Sequence, residues 1–134
     1  MAGENANFGK GYTGRVDAFN TGGQAGFEIH VYDAAGTEVG VAGPEGWIAK
    51  HGFSGEAPNL PIEVVEKLSG RVIQELRARG LLAAKGILDI SEFINRFLSA
   101  DALVCILTDS CDRLYKAIDC ALHPDKPGCS CNGA

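Results

Sequence analysis

The chain has 134 residues, 46% of them hydrophobic and 22% charged, which is close to the average for folded soluble proteins and excludes a polar, disordered chain. Its formal charge is −5, with three Lys/Arg against seven Asp/Glu in residues 1–57 and nine against ten in residues 58–134. The overall basic excess usual in nucleic-acid binding is therefore missing.

No apolar run approaches the roughly 18 residues of a membrane span, the longest being Ala102–Leu107, so no span is expected. Met1–Phe8 lacks the basic and apolar regions of a secretory signal. The length suits one domain, expected as a β-rich part over 1–57, a helical part over 58–122 and a cysteine-containing tail over 123–134. The fold class this implies is α+β, with a glycine-rich β-hairpin or antiparallel sheet packed against C-terminal helices.

In chain order, thirteen of the eighteen glycines lie within residues 1–55 and punctuate short β-rich segments. The clearest strand is Phe27–Tyr32, whose alternation puts Phe27, Ile29 and Val31 on one face and Glu28, His30 and Tyr32 on the other. Asp33–Gly36 supplies a turn, and Thr37–Val41 returns as the partner strand with Val39 and Val41 on its apolar side.

Pro61 suits a first helical turn, and Ile62, Val65, Leu68, Val72 and Leu76 recur at helical spacing until Gly80 offers a stop. A second helix begins near Asp89, which has capping-box spacing to Glu92, and presents Phe93, Ile94, Phe97 and Leu98 to the core. Further helix is expected from Asp101 to about Leu122, followed by a coiled tail.

All five cysteines lie in the last thirty residues. Two disulfides among Cys111, Cys120, Cys129 and Cys131, with Cys105 as a buried leftover, are preferred to free thiols. They are also preferred to zinc, because C-x8-C-x8-C-x-C lacks the usual knuckles.

His30 shares its strand face with Glu28 and Tyr32 at about 6 to 7 Å spacing. Carboxylate, imidazole and phenol side by side suit acid/base chemistry near neutral pH, although such residues also make an ordinary wet face of a hairpin, on which His30 would be exposed and its removal nearly neutral. Gly46–Gly52 holds Trp47, Lys50 and His51 in a glycine-framed loop expected to converge with that face. An alternative set, Asp17, Glu28 and Glu38 with His30 nearby, would suit a metal-dependent nuclease. Motifs for zinc deaminases, phosphate-binding loops, zinc proteases and serine hydrolases do not occur.

The ordered set Thr21-Gly22-Gly23, Gly26–Tyr32, Gly36–Gly40 and Gly43–Gly52, continuing through Arg77–Leu82, resembles a C-terminal effector domain of bacterial Rhs (YD-repeat) polymorphic toxins. The likeness covers roughly Tyr12–Ile90. It implies delivery as cargo of an Rhs shell, often by type VI secretion, and so secretion from the producing bacterium, action in the target-cell cytoplasm and neutralisation by a cognate immunity protein.

Many toxin domains of that wider class are metal-independent ribonucleases. By that analogy His30, His51, Glu28 and Lys50 are the expected catalytic residues, Arg15, Tyr32 and Trp47 the expected substrate-binding ones, and no metal or cofactor is expected. A non-catalytic toxin that blocks a cellular target is the further alternative.

Overall fold

The computed structural model describes residues 3–87, 89–98, 105 and 111–129. Five antiparallel strands, β1 (Glu4–Gly9), β2 (Tyr12–Thr21), β3 (Gln24–Tyr32), β4 (Glu38–Gly43) and β5 (Gly46–Trp47), form one sheet in the order β1-β2-β3-β4-β5. Helices α1 (Ile62–Ala78), α2 (Leu81–Ala84), α3 (Ile90–Phe97) and α4 (Asp112–Leu122) follow. This is the α+β arrangement expected from the sequence. Among the described residues no helix is long and apolar enough to cross a membrane.

The sheet is longer than the single hairpin the sequence marked most clearly. Gly22 and Gly23, at φ 60° and 83°, make the two-residue turn that folds β2 back on β3, and its twist matches that of the flanking strands. Turn Asp33–Gly36 forms as expected: the Asp33 carboxylate accepts from the backbone of Ala35 and Thr37 at 2.9 and 3.0 Å.

Alternation then decides which side chains meet the helices. Phe8, Val16, Phe27, Ile29 and Val31 are buried in one cluster with Val64, Leu68, Val72, Ile73 and Leu76 of α1, Phe93 and Phe97 of α3, and Leu114, Ile118 and Leu122 of α4. Gly40 also faces this side, because a Cβ there would lie 2.9 Å from the Trp47 ring.

The opposite face carries Asn5 and Asn7 of β1, Thr13, Arg15 and Asp17 of β2, and Glu28, His30 and Tyr32 of β3, as the register pairs them. On β4 the sequence expectation needs a correction. A register shift between Val31 and Tyr32 places Glu38 opposite Tyr32 and Val41 opposite His30. Val41 therefore lies on the His30 face, whereas Val39 packs against the core. One extra residue in a strand reverses the side on which later residues point.

In the helical part, Pro61 caps α1 and Gly80, at φ 66°, follows its end. Asp89 caps α3 by accepting from the Glu92 backbone N–H at 3.1 Å. The expected helix from Asp101 to Leu122 is borne out for Asp112–Leu122, while 101–104 and 106–110 lie outside the described residues.

The disulfide pairing differs from expectation: the bonds are Cys105–Cys111 and Cys120–Cys129, so Cys105 is not a leftover thiol. Cys131 lies outside the described residues. The second bond ties the segment after α4 back to that helix.

Candidate functional site

On the sheet face turned away from the helices, β3 supplies Glu28, His30 and Tyr32, β2 supplies Arg15 and Asp17, and β4 supplies Glu38. The chain after β5 closes over this face. Lys50 C=O accepts from Phe53 N–H at 3.0 Å across a tight turn whose two central residues, His51 and Gly52, have φ of 56° and 87°. Such a turn needs positive φ at both positions. Glycine takes that backbone freely; histidine does so at a cost, and it is one of only two non-glycine residues at positive φ among those described.

The strained turn brings His51 to His30, with ring centroids 5.5 Å apart. Glu38 lies between them: one carboxylate oxygen is 2.7 Å from His30 Nδ1 and the other 2.9 Å from His51 Nδ1. Burial works against ionisation of Glu38, but the hydrogen bonds and charges of the two histidines outweigh it and hold the carboxyl below its ordinary value. An ionised carboxylate only accepts hydrogen bonds, so both Nδ1 atoms carry the hydrogen. On a neutral His51 the lone pair is then on Nε2, which has no hydrogen-bond partner among the described residues.

His30 is held from its other side as well. Its Nε2 lies 3.3 Å from Glu28 Oε1 and 3.4 Å from Asp17 Oδ2. Each of these carboxylates has a cation of its own: Lys50 Nζ is 2.8 Å from Glu28, and Arg15 Nε bonds both Asp17 oxygens at 3.1 Å. The bond to Asp17 raises the Arg15 pKa above its usual value, opposed by some desolvation. Arg15 also donates to the Tyr32 hydroxyl at 3.4 Å. Beside these two residues an open groove lined with Asn5, Asn7 and Thr13 crosses β1 and β2.

The convergence of the β3 polar face with the Lys50–His51 loop matches the sequence expectation, and His30, His51, Glu28, Lys50, Arg15 and Tyr32 share one site. Two expectations need correction. His30 is not on a wet face: it is 3% exposed, because Glu38, Glu28, Asp17 and the His51 turn surround it. Trp47 is not at the site either. Its side chain lies on the helix side of the sheet, packs against the core and donates to the Phe97 carbonyl at 2.9 Å.

The alternative metal set of Asp17, Glu28 and Glu38 does not converge, since Glu38 contacts Nδ1 of His30 and the other two contact Nε2. Among the described residues, the ligand atoms that do lie within 4.8 Å of one another are those of His30, Glu38 and His51.

Glu38 as the residue that joins the two histidines escaped sequence reasoning. Its signal was the turn at Asp33–Gly36, which brings the start of β4 beside the end of β3, together with its place next to core-facing Val39; the approach of His51 from beyond β5 has no local signature.

Fold and site together define an α+β domain with a carboxylate-bridged histidine pair on the outer face of its sheet. No family model matches the chain, and no curated protein or solved structure matches it.

Proposed function

We propose that the chain is an antibacterial toxin domain that cleaves RNA without a metal, by attack of the 2′-hydroxyl on the adjacent phosphate. The observation that carries this reading is the pair of imidazoles 5.5 Å apart, both hydrogen-bonded to Glu38. His51, whose side chain is 46% exposed, presents Nε2 outward and takes the 2′-hydroxyl proton. The 2′-oxygen bonds to phosphorus, the bond from phosphorus to the 5′-oxygen breaks, and Lys50 gives that oxygen its proton. The products are a 2′,3′-cyclic phosphate and a 5′-hydroxyl.

Arg15 and Lys50 face the charge of the phosphorane, and Tyr32 is a stacking surface for a base. His30 is a positioning residue: too buried to reach substrate, it holds Glu38, which in turn holds His51. The Rhs resemblance adds the setting, in which an Rhs shell carries the domain out of the producing cell and an immunity protein protects that cell.

The test is incubation of the purified domain with total bacterial RNA in EDTA, with the new ends identified. RNA cut to cyclic phosphate ends, with at least a hundredfold loss in His51→Ala, is the expected result. RNA left intact by the folded parent domain, with or without added divalent metal, overturns the reading.

A further inference from the structure

We infer that His30, Glu38 and His51 form a binding site for a single divalent transition-metal ion of the zinc class. The inference stands apart from the ribonuclease reading and uses the same residues in a different protonation pattern.

Three features point to it. The ligand set is two imidazoles and a carboxylate, the nitrogen and oxygen donors that zinc-like ions prefer, with ligand atoms already within 4.8 Å of one another. Ligands about 2.0–2.1 Å from a tetrahedral zinc ion lie about 3.3 Å apart. The Glu38 oxygens are 2.7 and 2.9 Å from the Nδ1 atoms of His30 and His51, inside that spacing, so both contacts open as an ion enters between carboxylate and rings.

The second feature is the support behind His30. A histidine that ligates a metal through one nitrogen characteristically donates the other N–H to a carboxylate, which fixes the ring. Here Glu28 and Asp17 stand 3.3 and 3.4 Å from Nε2, carboxylates close enough to take up that role with a small reorientation, and the ring is buried. The third is access: His51 is exposed, which leaves the fourth position open to water.

Proton bookkeeping is simple. As the ion takes the Nδ1 lone pairs, each neutral ring carries its one hydrogen on Nε2. His30 turns it towards the nearby Glu28 and Asp17 carboxylates, and His51 points it to solvent. On the ribonuclease reading a bound ion removes the lone pair that His51 needs, so the metal silences the enzyme; this consequence alone rests on that reading.

The test is titration of the full 134-residue chain with Co2+, after any free thiol is alkylated without reduction of the disulfides. One equivalent should bind with the visible absorption of a tetrahedral site, and one equivalent of Zn2+ should abolish the signal. His51→Ala and Glu38→Gln should each weaken binding at least tenfold while retaining a cooperative thermal transition.

Absence of a one-to-one tetrahedral complex overturns the inference, as does unchanged affinity in a folded His51→Ala. RNA cleavage is scored separately: a chain that binds cobalt yet leaves RNA intact keeps the site and loses the ribonuclease reading. A chain that cuts RNA and binds no cobalt does the reverse.

Discussion

His30 shows how position in a strand differs from environment. Alternation places it correctly on the face opposite Phe27, Ile29 and Val31, but three carboxylates and the His51 turn bury it. His30→Ala leaves Glu38, Glu28 and Asp17 without their shared partner on a partly closed surface. Loss of a buried partner costs about 1 to 3 kcal/mol. We expect His30→Ala to lose about 2 kcal/mol in urea unfolding, and His51→Ala, at an exposed position, to change stability by less than about 1 kcal/mol. Equal losses in the two variants would refute the distinction between a positioning histidine and a presented one.

At the scale of an element, α1 carries a buried acid that its pattern of apolar residues does not announce. Glu75 is 6% exposed and lies one turn from both Arg71 and Arg79, each of which hydrogen-bonds its carboxylate. The Arg79 guanidinium also sits 5.4 Å above the Phe27 ring, which links the helix to β3. Burial alone would raise the Glu75 pKa, but the hydrogen bonds and charges of the two arginines prevail and lower it.

A depressed carboxyl contributes stability above its unfolded value, about 4.3 for glutamate, and loses it as pH falls through that value towards the folded one. Glu75→Gln should therefore destabilise the protein at pH 7, by about 2 kcal/mol, and the gap to the parent should narrow progressively below about pH 4. Denaturant melts at a series of pH values measure it. A gap that stays constant down to pH 3 would show that Glu75 contributes packing and not charge.

At the scale of the molecule, the hydrophobic cluster contains residues of the sheet and of α1, α3 and α4 together, so neither half has a core of its own. The only tryptophan lies at their junction, in β5 and bonded to the Phe97 carbonyl of α3. Unfolding followed by Trp47 fluorescence and by far-ultraviolet circular dichroism should give coincident transitions, as a single cooperative domain does. A separate transition for the helices would divide the chain near residue 58.

Much of this architecture was legible in the sequence because its causes are local. The Phe27–Tyr32 alternation, the Asp33–Gly36 turn, the α1 stripe and the Asp89 cap each depend on residues within one or two turns of chain, and each forms as read except that Ile62, at the start of the stripe, is exposed. The same locality put His30 with Glu28 and brought the Lys50–His51 loop under suspicion.

What tertiary structure alone decided has longer-range causes. The register shift after Val31 sent Val41 to the face where Glu38 already lay beside the histidines, because strand register is settled by pairing across the whole hairpin. Trp47 left the site because the gap over Gly40 and the Phe97 carbonyl, fifty residues away, take it on the other face. Cys105 pairs with Cys111 because the two α-carbons come within 5.4 Å, a distance that cysteine spacing does not encode. Residue types supplied the chemistry of imidazole, carboxylate and ammonium; packing and pairing between distant segments chose which of them meet.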